Sequence, residues 1–211
     1  MIRLLPPVVG EPPRPRSASG LIPLLENDFF TAGGMRAHDL IVLHSTEGGE
    51  IRNSARNSAA WWQDDRAKAS CAFVVDNLEI IQALENPDTD KAWHCGSANA
   101  WSVGIEHVGK ASQTRQQWMD EYSLATLMHG VEVCAWLCRR YAIPVEFVDS
   151  NRVSSNRAQW KAGQRATFRG ITDHASISKA FPGEGGHTDP GVAFPVDWYL
   201  ARVSARMGES A

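Results

Sequence analysis

The sequence predicts an α/β fold, a central mixed sheet of about five or six strands flanked by helices. Three segments carry this expectation. Leu40-Ile41-Val42-Leu43 is a short continuous apolar run between polar residues and Gly48-Gly49, as a buried strand requires. Ser102 to Val108 alternates residue types with the period of two that a strand imposes. From Trp118 to Tyr141 apolar residues recur at Tyr122, Ala125, Met128 or Val131, Cys134 or Ala135, Cys138 and Tyr141, the periodicity of an amphipathic helix that Pro144 closes.

The remaining elements follow in chain order. Pro6, Pro7, Pro12, Pro13 and Pro15, with Arg, Ser and Gly around them, disfavour helix and central strand. Residues 1–35 therefore read as a Pro-rich N-terminal arm and residues 36–211 as one folded domain. Ser54 is a candidate N-cap for a helix reaching Ala67, with Ala55, Ala59, Trp62 and Ala67 on one side. Cys71 to Val75 and Glu79 to Leu84 read as strands joined by the Asp76-Asn77 turn. Residues 149–169, with Arg152, Arg157, Lys161, Arg165 and Arg169 around Trp160, read as a solvated surface loop or short helix. Gly170 to Asp173 leads into His174, and Phe194 to Met207 forms a last helix.

Composition excludes several classes. With 43% hydrophobic and 21% charged residues the chain is neither disordered nor fibrous, and its net charge of -3 favours neither nucleic acid nor an anionic membrane. No run of about 18 apolar residues occurs, so no spanning helix is expected. The N-terminus lacks the apolar region of an export signal, which predicts a reducing compartment and four free cysteines. Cys134 and Cys138, at i and i+4, are expected to pack rather than bind metal. Eight tryptophans stand out, and Trp61, Trp62, Trp93 and Trp101 could line a groove, with core the expected place for at least two.

Two histidines, His44 and His174, end apolar segments that a sheet could bring side by side. A catalytic metal site needs three protein ligands and an open position, yet a histidine at a strand end is more often a hydrogen-bonded structural residue. Asp189, in Gly185-Gly186-His187-Thr188-Asp189-Pro190-Gly191, sits in a tight loop that by itself is commonly only a turn. Residue types and spacing leave both alternatives open.

Order resolves what spacing does not. Ile41-Val42-Leu43-His44-Ser45-Thr46, Trp93-His94 followed by Asn99, Ser102-Val103-Gly104-Ile105-Glu106, Gly170-Ile171-Thr172-Asp173-His174 and His187-Thr188-Asp189-Pro190-Gly191 together resemble the type 2 N-acetylmuramoyl-L-alanine amidases, a family related to peptidoglycan recognition proteins, and in particular endolysin domains of actinobacteriophages. The resemblance spans residues 38–202. It implies that residues 36–211 form a zinc amidase domain that cuts peptidoglycan between N-acetylmuramic acid and L-alanine, with His44, His174 and Asp189 as ligands of a Zn2+ ion. It implies Glu106 as the general base that takes the proton of the attacking water, His187 as the oxyanion donor, and His94, Thr46 and Asn99 as substrate contacts. It further implies a monomer that acts on peptidoglycan and on no nucleic acid or membrane, held in the host cytoplasm until a holin-type pore releases it to the wall.

Three positions depart from the pattern. Asp189 stands where some relatives have Cys, which keeps an acceptable zinc ligand. His187 stands where many have Lys, so its positive charge depends on pH. Cys71-Ala72 replaces a Tyr-His pair, which shifts acid–base work onto Glu106; a nucleophilic Cys71 would need a base that the sequence does not offer. Two rival readings are a non-catalytic peptidoglycan-binding module, which the complete ligand set disfavours, and a zinc peptidase cutting within the stem peptide.

Overall fold

The computed structural model describes residues 3–4 and 23–208; the proline-rich stretch 5–20 lies outside the described residues. Its strands are β1 (Arg3–Leu4), β2 (Pro23–Leu24), β3 (Phe30–Thr31), β4 (Leu40–Ser45), β5 (Phe73–Val75), β6 (Ile80–Gln82), β7 (Lys91–Ala92), β8 (Ser102–His107) and β9 (Gly170–Asp173). The helices are α1 (Ser54–Trp61), α2 (Arg115–Trp118), α3 (Glu121–Tyr141), α4 (Ser150–Ser155), α5 (Arg157–Lys161), α6 (His174–Ala180) and α7 (Val196–Gly208), with a 3-10 turn over Gly96–Trp101.

The main sheet runs β1-β2-β6-β5-β8-β4-β9, and its five longer strands, β6 to β9 in that order, are the mixed sheet that the sequence predicts. β4 is parallel to both β8 and β9, and β5 is parallel to β8 and antiparallel to β6. β3 and β7 form a separate antiparallel pair.

Alternation along β4 and β8 decides which side chains meet. Ile41, Leu43, Val103 and Ile105 join Leu127, Val131, Leu137, Tyr199 and Val203 in the core beneath α3 and α7. Leu40 and Val42 point the other way, into a second core with Val148, Trp160 and Ile177. His44 has the parity of Leu40 and Val42, and it pairs in register with Glu106. Both side chains therefore emerge on the face opposite α3 and α7, where the parallel strands end; in open α/β sheets ligands gather at these C-terminal ends.

Two buried polar anchors fix β4 at its two ends. Ahead of the strand, Asp39 is fully buried and accepts from Arg165 Nε at 3.0 Å, the Ala166 amide at 2.9 Å and Trp160 Nε1 at 3.3 Å. A buried carboxylate without such partners would cost several kcal/mol, roughly, so this hub ties β4 to the segment that leads into β9. At the other end, buried His107 spans the His44 carbonyl at 3.0 Å and the Tyr199 hydroxyl at 3.1 Å. Gly130 makes this possible, because a Cβ there would collide with His107 Nε2 and lie 2.8 Å from the Tyr199 hydroxyl.

Several expectations change. The helix from Ser54 stops at Trp61 rather than Ala67, because Trp62 turns into the core and Asp64 Oδ1 accepts the Arg66 amide in a tight turn. The long helix begins at Glu121 rather than Trp118, since the Asp120 side chain caps the Ser123 amide at 2.9 Å and starts a new N-terminus. Residues 149–169 are not a merely solvated face: α4 and α5 bury Val153 and Trp160, and Arg165 turns to Asp39. Trp62 and Trp101 are core, whereas Trp61 and Trp93 are 45% and 39% exposed. All four cysteines are free and buried, Cys134 and Cys138 within the α3 core. Among the described residues no helix is long and apolar enough to cross a membrane.

Candidate metal centre

His44 reaches the centre from the end of β4, and His174 from the first position of α6, whose N-cap Asp173 accepts the Ser176 amide at 2.6 Å. Asp189 comes from the loop before α7, where its peptide bond to Pro190 is cis and its carbonyl accepts the Ala175 amide at 3.1 Å. Three segments distant in sequence thus converge. His44 Nδ1 lies 3.0 Å from Asp189 Oδ2, and His174 Nδ1 lies 3.1 Å from Asp189 Oδ1. One ligand atom from each residue lies within 4.8 Å of the other two, and all three residues are buried.

The charge balance of this cluster is particular. Burial pushes the Asp189 carboxyl up, but hydrogen bonds from His174 and His44 outweigh it and hold the group well below the usual carboxylate range. For His44, burial wins over the attraction of Asp189 and lowers its pKa, so the neutral, metal-binding form is favoured. A hard or borderline dication suits a donor set of two imidazoles and one carboxylate.

Glu106 stands beside this cluster. It pairs with His44 across β4 and β8, and its Oε2 is buried with no hydrogen-bond partner. Burial, reinforced by repulsion from Asp189 and Glu47, pushes its pKa up to about 8. It forms part of the wall of a cleft of about 290 Å³ together with Thr46, Ile51, Ser54, Asn57 and Trp61.

The other candidate residues divide. Thr46 lines the cleft and accepts the Gly48 amide at 3.2 Å, shaping the turn after β4. His187 stacks on His174 with ring centroids 4.0 Å apart, its side chain 53% exposed and Nδ1 3.8 Å from Asp189 Oδ1. His94 is buried, and its Nδ1 lies 3.0 Å from His44 Nε2. Asn99 is committed to the backbone, its Oδ1 accepting the amides of His94 at 3.0 Å and Cys95 at 2.6 Å, so it shapes the loop that carries His94. Cys71 is sealed, and burial together with Glu106 raises its thiol well above the usual range, which removes it as a nucleophile.

The profile of a family described as N-acetylmuramoyl-L-alanine amidase matches residues 34–192. The chain belongs to this family. N-acetylmuramoyl-L-alanine amidase A of Achromobacter lyticus is 23% identical over 190 residues, which cover 88% of this chain and 93% of its own. A mutant of PlyL matches with a TM-score of 0.59 at 16% identity, over 87% of this chain and 98% of that one. A mutant endolysin from Bacillus subtilis matches with a TM-score of 0.57 at 17% identity, over 86% and 99%. At these identities the structural likeness establishes the fold. As an N-acetylmuramoyl-L-alanine amidase, the protein hydrolyses the amide that joins N-acetylmuramic acid to L-alanine in peptidoglycan.

Some of the residues that build the centre of this amidase were beyond sequence reading. Ser102 and Gly104, which surround His94, and His107, which holds the His44 carbonyl, carry no signal apart from lying in the strand that bears Glu106.

Glu106 makes the metal-free amidase sensitive to pH. Its folded pKa of about 8 exceeds its ordinary 4.5, so within that window the unfolded chain has released a proton that the folded chain retains. Stability then falls as pH rises from 4.5 to about 8. Glu106→Gln removes the titration. In urea melts of chelator-treated protein the variant is expected to gain several kcal/mol over wild type at alkaline pH and nothing below pH 4.5; equal midpoints at alkaline pH would contradict the buried, strained carboxyl.

Proposed function

We propose that the protein is a zinc-dependent N-acetylmuramoyl-L-alanine amidase in which His44, His174 and Asp189 hold the metal, Glu106 is general base and then general acid, and His187 steadies the oxyanion. The observation that carries this reading is the convergence of three buried ligand atoms beside an unpartnered carboxylate oxygen on the adjacent strand. When bound, zinc supplies Lewis-acid polarisation and brings the pKa of water down to about 7.

The chain's own groups account for the proton transfers. Glu106 takes a proton from the water that adds to the lactyl carbonyl, and returns it to the leaving nitrogen as the carbon–nitrogen bond breaks, freeing the L-alanine amine. The positive charge of a bound dication opposes the burial that raises the Glu106 pKa, bringing it toward neutrality, where a general base works best. Ile51 and Trp61 give the cleft an apolar wall, and Thr46, Ser54 and Asn57 give it neutral hydrogen-bonding groups. The stem peptide lies along this cleft, and Thr46 contacts it.

Purified cell walls test the reaction directly. Digestion is expected to expose new L-alanine amino termini without new reducing sugars, and to stop when zinc is chelated. Glu106→Ala should retain zinc and lose at least about 100-fold in turnover, the scale of general-base catalysis. Near-full activity in this variant would remove Glu106 from the mechanism, and a different new amino terminus would make the protein a stem peptidase.

His187 has its pKa lowered from 6.5, by burial and then by the neighbouring His174, so it is largely neutral above that pH and donates to an oxyanion without full charge. Lysine at this position stays cationic throughout. His187→Lys should therefore keep activity and remove the part of the pH dependence that falls below about 6.5, where the histidine gains its charge; an unchanged profile would count against the oxyanion role.

The similarity to a solved endolysin supports a lytic role, with the protein confined to the host cytoplasm until a holin-type pore opens the membrane. A bacterium that expresses the chain should keep its turbidity until chloroform permeabilises the membrane, then clear within minutes. Clearing without membrane damage would overturn the pore requirement.

A further inference from the structure

His94 does not line the cleft; it is buried beside His44. Its Nδ1 lies 3.0 Å from His44 Nε2 and its Nε2 lies 3.2 Å from Ser102 Oγ, while Ser102 Oγ lies 2.9 Å from the Ala98 carbonyl.

With a cation between His44 and Asp189, one proton arrangement suits every group along this chain. The Ala98 carbonyl can only accept, so the Ser102 hydroxyl donates to it and its oxygen accepts from His94 Nε2–H. An imidazole that donates from Nε2 offers Nδ1 as its acceptor. His44 Nε2–H must then donate to His94, and the lone pair of His44 is left on Nδ1, the atom 3.0 Å from Asp189 Oδ2. Without the ion the same Nδ1 carries the proton that hydrogen-bonds Asp189; with it, the lone pair would be free for the metal.

The surroundings are built for this ring. Asn99 holds the His94 amide, and a Cβ on Gly104 would lie 2.7 Å from His94 Nδ1 and collide with Cys71 Sγ.

We propose that His94 is a positioning residue, not a substrate contact: through the Ser102 relay it fixes the tautomer and orientation in which His44 presents Nδ1 to the metal. The proposal rests on the zinc reading above. Outer-shell partners of metal-bound histidines act in this way, and their loss costs about 10–100-fold in metal affinity.

The test measures zinc affinity of the full chain by competition with a chromophoric chelator, alongside kcat and KM under zinc saturation. Wild type is expected to bind one zinc. His94→Ala should bind it about 10–100-fold more weakly with KM little changed, and His94→Asn, whose Oδ1 can accept in place of Nδ1, should recover most of the affinity. Cobalt-substituted protein should show an altered visible spectrum in His94→Ala and a near-native one in His94→Asn. Wild-type zinc affinity in His94→Ala with a raised KM would make His94 a substrate contact and overturn the proposal. Should His94→Ala not fold, Ser102→Ala carries the test: it removes the far anchor, several-fold weaker zinc binding is expected, and unchanged binding overturns the proposal. A wild type that binds no zinc would instead remove the zinc reading, and this proposal with it.

Discussion

Asp189 keeps a negative charge in a place where charge is expensive. Its side chain is 10% exposed, and the groups that stabilise it are two imidazoles at 3.0 and 3.1 Å. An isolated buried carboxylate would protonate rather than stay ionised; this one stays ionised because His44 and His174 face it from two different elements. The arrangement makes a demand on the rest of the fold. Three segments, one of them more than a hundred residues along the chain from the other two, must arrive at one point with ångström accuracy, since a displaced partner would leave either a bare charge or an unsatisfied ring nitrogen.

The parallel ladder of β8, β4 and β9 meets that demand. It fixes His44 beside Glu106 and places the Asp173–His174 junction at the same level, one strand over. β4 itself is clamped before its first residue by the Asp39 hub and at its end by His107, so the histidine is held through its backbone as well as through its ring. Glu106 bears the cost: its carboxyl is buried in a position that destabilises the ionised form, a local strain of the kind that cores avoid and working sites retain.

How much of this was legible follows from the range over which each interaction acts. The strands and the long helix could be read because their signals are local and periodic, in Leu40–Leu43, Ser102–Val108 and the α3 stripe. The two-residue strands β2, β3 and β7 could not, because pairing with distant chain, not their own composition, makes them extended. Helix α6 was hidden behind the histidine that opens it; its signal was Asp173 as an N-cap residue, whose side chain accepts the Ser176 amide. For the centre, residue types alone left His44, His174 and Asp189 as candidates, and motif order drew them together. Asn99 and His94 show what neither source contained. A motif says that a residue matters, whereas only coordinates show that the Asn99 carbonyl is spent on two amides and that the His94 ring is spent on His44.

Cys71 shapes its neighbours through its small size. Its thiol and the His94 ring both crowd the bare Cα of Gly104, and the ligand atoms of Cys71, His94 and His44 all lie within 4.8 Å of one another. A tyrosine at this position would have to place its ring in volume that the thiol and the imidazole already fill, and overpacking of that size is paid in displaced side chains. The small residue at 71 is therefore the steric condition for the contact between His94 and His44. It has a chemical consequence as well: the sealed thiol, raised well above the usual range, has no proton to trade near neutrality, and a phenol is absent. Of the described residues on this part of the sheet, Glu106 alone lines the cleft with a titratable group whose pKa lies near neutrality, which supports the acid–base role proposed for it.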